Sequence, residues 1–213
     1  MSALGEPLTF PSGDLTLEGV LHRPQATPHP AVVVCHPHPL FGGDMHNSVV
    51  VAVCQALVGT GIGALRFNFR GVGGSQGGFA DGIGERDDVL AALACLRGVE
   101  GVDPAKVGLV GYSFGAAVSL LAADERVAAL AAISPPSFGS AIPPRAVQCP
   151  TLLIAGDRDD VAPTVWLTTL AKVIGPHCRM EAVPGADHFW WGHEEKLAQT
   201  VAAFLRDSLV SGP

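Results

Sequence analysis

The sequence predicts an α/β fold: a mostly parallel twisted sheet covered by helices on both faces, with an antiparallel hairpin at its N-terminal end. Three features carry the prediction. Short apolar runs rich in β-branched residues, such as Ala31-Val32-Val33-Val34-Cys35, alternate along the chain with helical patterns. Each run empties into a loop of glycine, proline or charged residues, the place where open α/β sheets gather their ligands. Near mid-chain, Val107 to Val110 ends in Gly111-Tyr112-Ser113-Phe114-Gly115, and Ala116, Ala117, Leu120 and Leu121 continue with helical spacing.

The elements follow in order. Leu8 to Phe10 and Leu15 to Leu21 alternate around Pro11-Ser12-Gly13-Asp14, a turn signal, and read as a hairpin. A Pro-rich link runs from Arg23 to Pro30. Ala31 to Cys35 then has the continuous apolar character of a strand buried on both faces. It leads into His36-Pro37-His38-Pro39-Leu40-Phe41-Gly42-Gly43, which is too rich in proline to be helical. Asn47 to Val58 is an apolar helix stopped by Gly59 and Gly61. Ile62 to Phe69 is a strand opening into the glycine-rich stretch from Arg70 to Gly78. Glu85 to Arg97 is an amphipathic helix with Val89, Leu93 and Leu96 on one face. Beyond the Gly-x-Ser-x-Gly turn, Val127 to Ile133, Thr151 to Ala155 and Arg179 to Val183 are strands, and His193 to Leu209 closes the chain as a helix. No repeat, low-complexity tract or linker divides residues 1–213, so one domain is expected.

Composition excludes several function classes. The 213 residues carry a net charge of −7 and are 48% hydrophobic and 15% charged. That balance belongs to a folded globular chain and argues against a nucleic-acid surface, and no Lys/Arg run offsets it. The segment from Met1 to Pro7 lacks the basic region and apolar core of a signal peptide, and no uninterrupted apolar span has membrane-helix length. A cytoplasmic protein is therefore expected. The five cysteines (35, 54, 95, 149 and 178) are scattered, mostly within apolar runs, as reduced buried thiols are. His36, His38, Asp44 and His46 lack the spacing of a standard metal-ligand set. The glycines from 71 to 78 miss the Gly-x-Gly-x-x-Gly spacing of a dinucleotide site. Neither a metal nor a cofactor is expected.

The Gly-x-Ser-x-Gly turn carries the chemistry. A strand that becomes a helix within a residue or two has no room for side chains at its glycines. It holds Ser113 at the tip, beside the unpaired amides of a helix start. A serine hydroxyl becomes a useful nucleophile only when a neighbouring base takes its proton. His188, on a glycine-rich loop after the last strand, is the preferred base, and His193, which reads as the start of the final helix, is the runner-up. The base needs a carboxylate to hold its tautomer and charge, and Asp157, Asp159 and Asp160 cluster after the Thr151 to Ala155 strand. Asp187 adjoins His188 and reads as solvated. An oxyanion needs amide donors. Phe114 is one, and the loop after Cys35 is expected to hold the other, with Pro37 and Pro39 excluded for want of an N–H. Arg70 reads as the partner of a buried carboxylate, Asp87 or Asp88, in preference to a clamp for an anionic substrate.

Four segments together resemble the α/β-hydrolase superfamily, in its branch of small serine esterases related to dienelactone hydrolases. They are Cys35-His36-Pro37-His38-Pro39, Asn68-Phe69-Arg70-Gly71-Val72-Gly73-Gly74-Ser75, Gly111-Tyr112-Ser113-Phe114-Gly115, and Gly156 to Pro163 with Gly185 to Phe189. The chain order of serine, acid and histidine is also that of the family. The resemblance implies the α/β-hydrolase fold and a Ser-His-Asp triad. The family's Gly-x-x-Asp segment with a downstream Val and Pro selects Asp159 from the three aspartates. Its His-Gly-x loops point to His38 as the second oxyanion donor, with Leu40 as the alternative. Dienelactone hydrolases use a cysteine nucleophile, so a serine here favours plain ester hydrolysis over lactone chemistry.

The expected activity is that of a serine carboxylesterase acting on short-acyl esters. Ser113 attacks, His188 shuttles the proton, Asp159 orients His188, and the amides of Phe114 and His38 hold the oxyanion. Leu40, Tyr112, Trp190 and Trp191 are candidates for the substrate pocket. The connection from Ser134 to Pro150 is too short for the helical lid that many hydrolases insert there, so an open, shallow site is expected. The expected partner is a small ester, with neither nucleic acid nor membrane, and the oligomeric state is left open. A thioesterase or peptidase-like acyl hydrolase would use the same triad, and a non-catalytic binding protein on the same fold is the remaining alternative.

Overall fold

The computed structural model describes residues 5–137 and 147–210. Its opening hairpin pairs β1 (Glu6–Ser12) antiparallel with β2 (Leu15–His22), with Phe10 opposite Leu17. β2 pairs antiparallel with β4 (Gly63–Phe67). From there the sheet is parallel through β3 (His29–Cys35), β5 (Val102–Tyr112), β6 (Leu130–Ile133), β7 (Thr151–Gly156) and β8 (Cys178–Val183). The eight strands lie in the order β1-β2-β4-β3-β5-β6-β7-β8, so the hairpin forms one edge, as the sequence predicts.

Alternation along the central strands divides the interior into two cores. Ala31, Val33 and Cys35 of β3 belong to the core covered by α2 (Ile83–Arg97), α3 (Phe114–Ala122) and, over β7 and β8, α4 (Thr164–Ile174). Val32 and Val34 face α1 (Ser48–Gly59) and α5 (Glu194–Leu209) on the other side. All five are buried, which is why the run is continuously apolar and not alternating. Burying a side chain of valine or leucine size contributes about 1.5–3 kcal/mol, so these strands anchor the sheet and fix where their carboxyl ends emerge.

Two local differences have physical causes. β6 begins at Leu130, later than expected, although the Ala128 N–H already donates to Val107 and the Leu109 N–H to Ala129. α4 is not among the expected elements. Its inward residues are only Leu167 and Leu170, and Thr164, Val165, Thr168, Thr169 and Val173 dilute the helical signal with β-branched side chains. The connection expected to lack a lid includes residues 138–146, which lie outside the described residues, as do residues 1–4 and 211–213. All five cysteines are free. Among the described residues no helix is long and apolar enough to cross a membrane.

Candidate active site

The loops at the carboxyl ends of β3, β5, β7 and β8 meet because glycines let their backbones touch. A Cβ on Gly111 would lie 2.2 Å from the Gly115 carbonyl oxygen, and one on Gly115 would lie 2.5 Å from those of Cys35 and His36. α3 is thereby seated on the end of β3. Between the two glycines Ser113 takes φ 54°, a left-handed conformation that costs a non-glycine residue on the order of 1–3 kcal/mol. Its N–H donates to the Ile133 carbonyl at 2.8 Å, which helps hold the strained turn. A third close approach joins the acid and base loops: a Cβ on Gly156 would lie 2.0 Å from the Ala186 carbonyl oxygen.

Three side chains from separate loops converge at this point. Ser113 Oγ lies 3.0 Å from His188 Nε2, and His188 Nδ1 lies 3.0 Å from each carboxylate oxygen of Asp159. An ionised carboxylate only accepts, so Nδ1 carries the proton and Nε2 of the neutral ring is left to accept from the serine hydroxyl. Asp159 is buried, and its Oδ1 also accepts the N–H groups of Val161 (3.0 Å) and Ala162 (2.7 Å). Burial raises its pKa, but hydrogen bonds from His188, Ser134 and Ala162 outweigh that and hold the carboxyl below the usual carboxylate range.

The neighbouring candidates have other positions. Asp157 is exposed and accepts the Gly185 N–H at 2.7 Å, clasping the base loop from outside, and Asp160 is exposed. Asp187 is exposed as expected, and it caps the turn by accepting the N–H groups of Phe189 (2.9 Å) and Trp190 (3.0 Å). His193 is the N-cap of α5.

On the β3 side, His36 is fully buried; its Nδ1–H donates to the Pro37 carbonyl at 2.6 Å and its Nε2 accepts the Phe69 N–H at 3.1 Å. Burial pushes its pKa down to about 4, so the ring is neutral. His38 precedes a short 3-10 turn, Pro39–Phe41, and its Nδ1 accepts the Leu40 N–H at 3.2 Å. The Leu40 amide is therefore engaged. The His38 N–H has no acceptor among the described residues, and that of Phe114 opens a helix, where no intrahelical acceptor exists.

The pocket candidates divide. Leu40 (67%) and Trp191 (79%) are exposed. Tyr112 is buried and its hydroxyl donates to the His188 carbonyl at 2.7 Å, which makes it a support of the base loop. The expectation for Trp190 is corrected: it is fully buried in the core shared with α1 and α5. Its backbone, at φ 62°, and its indole N–H, donating to Ser134 Oγ at 3.0 Å, turn it inward. Sequence reasoning missed Phe41 and Phe79, whose rings lie 4.8 and 5.0 Å from that of His38, with Phe114 on a third side at 4.8 Å. It also missed Ser134, whose one signal is a polar residue at the end of a buried strand.

Arg70 is structural, as the sequence suggested, and its partner is Asp88. Nε and Nη2 donate to the two carboxylate oxygens at 3.0 and 2.7 Å. Among the described residues no three His, Cys, Asp or Glu side chains are grouped to hold a metal ion.

Residues 13–147 match the model of the X-Pro dipeptidyl-peptidase (S15) family. The chain is 33% identical over 206 residues to an uncharacterized protein of Rickettsia prowazekii, covering 89% of this chain and 84% of that one. Among solved structures it is similar to an alpha-beta serine hydrolase homologue from Coxiella burnetii, with TM-score 0.84 and 33% identity over 95% of this chain and 98% of that one. It is also similar to XC6422 from Xanthomonas campestris, described as an α/β serine hydrolase without a lid, with TM-score 0.86 and 32% identity over 100% and 99% of the two chains.

Proposed function

The chain belongs to the X-Pro dipeptidyl-peptidase (S15) family and has an α/β serine hydrolase fold, and from that premise we propose that it is a serine carboxylesterase of short-acyl esters. The observation that carries the reading is the run of contacts from Ser113 Oγ through the His188 ring to Asp159, each at 3.0 Å. Ser113 attacks the acyl carbonyl as its proton passes to His188 Nε2. Asp159 keeps Nδ1 protonated and stabilises the imidazolium that forms. The N–H groups of Phe114 and His38 receive the oxyanion. His188 then protonates the leaving alcohol, deprotonates a water that attacks the acyl-enzyme, and returns the proton to Ser113 as the acid leaves. The likeness to a relative described as lidless supports short acyl chains. The reading includes a cytoplasmic enzyme that needs no cofactor.

Family membership favours one second reading, peptidase-like hydrolysis on the same machinery. A panel of p-nitrophenyl esters of rising acyl length, thioesters and X-Pro p-nitroanilides separates the two. Ester turnover highest at two to four carbons supports the first reading, and faster release from X-Pro anilides overturns it. Ser113→Ala is expected to lower kcat on the order of 10⁴- to 10⁶-fold on whichever substrate wins.

A further inference from the structure

The loop that carries the base leaves two large apolar side chains exposed, Phe189 (62%) and Trp191 (79%), while Trp190 between them is fully buried. The turn responsible is tightly held. Asp187 Oδ1 accepts the N–H groups of Phe189 at 2.9 Å and Trp190 at 3.0 Å. Trp190 takes φ 62°, and its indole N–H donates to Ser134 Oγ at 3.0 Å. Anchoring residue 190 inward leaves its two neighbours outside. Phe189 nonetheless has a fixed place: its ring meets that of His188 edge-on, with centroids 5.8 Å apart and planes at 80°. Tyr112 contacts the same imidazole at 5.9 Å, and its hydroxyl donates to the His188 carbonyl at 2.7 Å. The base therefore has one buried aromatic neighbour and one exposed.

An exposed ring this near the reacting atoms has a chemical consequence. His188 Nε2 lies 3.0 Å from Ser113 Oγ, and as the ester C–O bond breaks it passes its proton to the departing alcohol oxygen. That oxygen must come within hydrogen-bond reach of Nε2, so the group bonded to it emerges beside the His188 ring, on which Phe189 packs. The other aromatic group of the site is engaged with itself: Phe41, Phe79 and Phe114 each contact the His38 ring, at 4.8, 5.0 and 4.8 Å. Among the described residues, Phe189 contacts no aromatic ring but that of His188. We propose that Phe189 is a specificity-determining residue that packs against the alcohol part of the substrate, so that the preferred esters join a short acyl group to an alcohol bearing a flat aromatic ring. The inference rests on the serine carboxylesterase reading above. A phenyl side chain has two torsions, and Asp187 fixes the backbone beneath it, so little freedom is lost when a substrate ring settles there.

Benzyl acetate and ethyl acetate test the assignment, because they share the acyl group and an alkyl oxygen as leaving group and differ in the ring. The native protein is expected to favour benzyl acetate in kcat/KM. Phe189→Ala should lower that preference about two- to tenfold, the worth of one aromatic pair, with ethyl acetate within about twofold of native. Phe189→Leu keeps an apolar side chain against His188 but loses the flat face, and should fall between. Both substitutions are at an exposed position and are expected to fold. An equal fall for the two esters would make Phe189 a packing support of His188 and overturn the proposal, as would a native protein with no preference for the ring. A selective loss from Phe41→Ala in its place would move the substrate ring to His38 and overturn it as well. All three results leave the hydrolase reading intact. A native protein that hydrolyses neither ester, and that a fluorophosphonate does not label at Ser113, would overturn that reading and this proposal with it.

Discussion

Nε2 of His36 accepts the backbone N–H of Phe69 at 3.1 Å, tying the loop after β3 to the loop after β4 through a side chain with no exposure. The ring's other nitrogen donates to the Pro37 carbonyl, so protonation would break the Phe69 bond and bury a charge. Its folded pKa is about 4 against an ordinary value of 6.5, and between those values the unfolded chain binds the proton that the folded chain refuses. The stabilisation is therefore complete above about pH 6.5 and is lost as pH falls toward 4, with a magnitude on the order of 3 kcal/mol. Thermal melts from pH 7 to pH 4 should show Tm falling across that window. His36→Gln should melt lower at pH 7 and change less with pH. Parallel curves for the two proteins would assign the acid sensitivity to another group.

Asp159 is the only one of its cluster to face the imidazole. Asp159→Asn should lower kcat roughly 10⁴-fold, because an amide can donate to Nδ1 and stabilise the wrong tautomer. Asp160→Asn should stay within about twofold of the parent protein, as an exposed substitution does. Asp157→Asn keeps an acceptor for the Gly185 N–H and should cost less than about tenfold. Steady-state kinetics on p-nitrophenyl acetate checks all three, and a ranking with Asp157 or Asp160 most damaging would reassign the acid.

Gly115→Ala would place a methyl group 2.5 Å from the carbonyl oxygens of Cys35 and His36 at the end of β3, with no flexible side chain there to yield. α3 must shift, and with it the Phe114 N–H. A loss of about 3 kcal/mol or more in stability is expected, together with a fall in kcat larger than any change in KM. Urea unfolding and steady-state kinetics measure the two effects separately.

Asp88 accepts from Ser12 Oγ at 2.7 Å and from three N–H groups of Arg70, at the centre of the core between the hairpin and α2. Asp88→Asn leaves the guanidinium without its counter-charge and should cost about 3–5 kcal/mol. Arg70 is held away from substrate duty by the same bonds, so KM for neutral and anionic esters should change by the same factor. A selective loss of affinity for anionic esters would return Arg70 to the binding site.

The sequence by itself determined what depends on neighbours along the chain. The spacing of Gly111, Ser113 and Gly115 encodes a sharp strand-to-helix turn, because only glycine tolerates those backbone approaches. The continuous apolar run from Ala31 to Cys35 encodes a strand covered on both faces, because both rows of side chains are buried. α4 was harder to read because its β-branched residues speak for strand as much as helix. The family resemblance points to Asp159, and the fold sets its carboxylate against the imidazole while Asp157 and Asp160 stay exposed; only the tertiary structure decided between Trp190, fully buried, and Trp191, 79% exposed. Adjacent residues share a local signal, and what separates them is which way a loop turns once another loop is packed against it. That direction is set by contacts such as Gly156 on Ala186 and Trp190 on Ser134, between segments far apart in sequence that meet only after the sheet has ordered its strands.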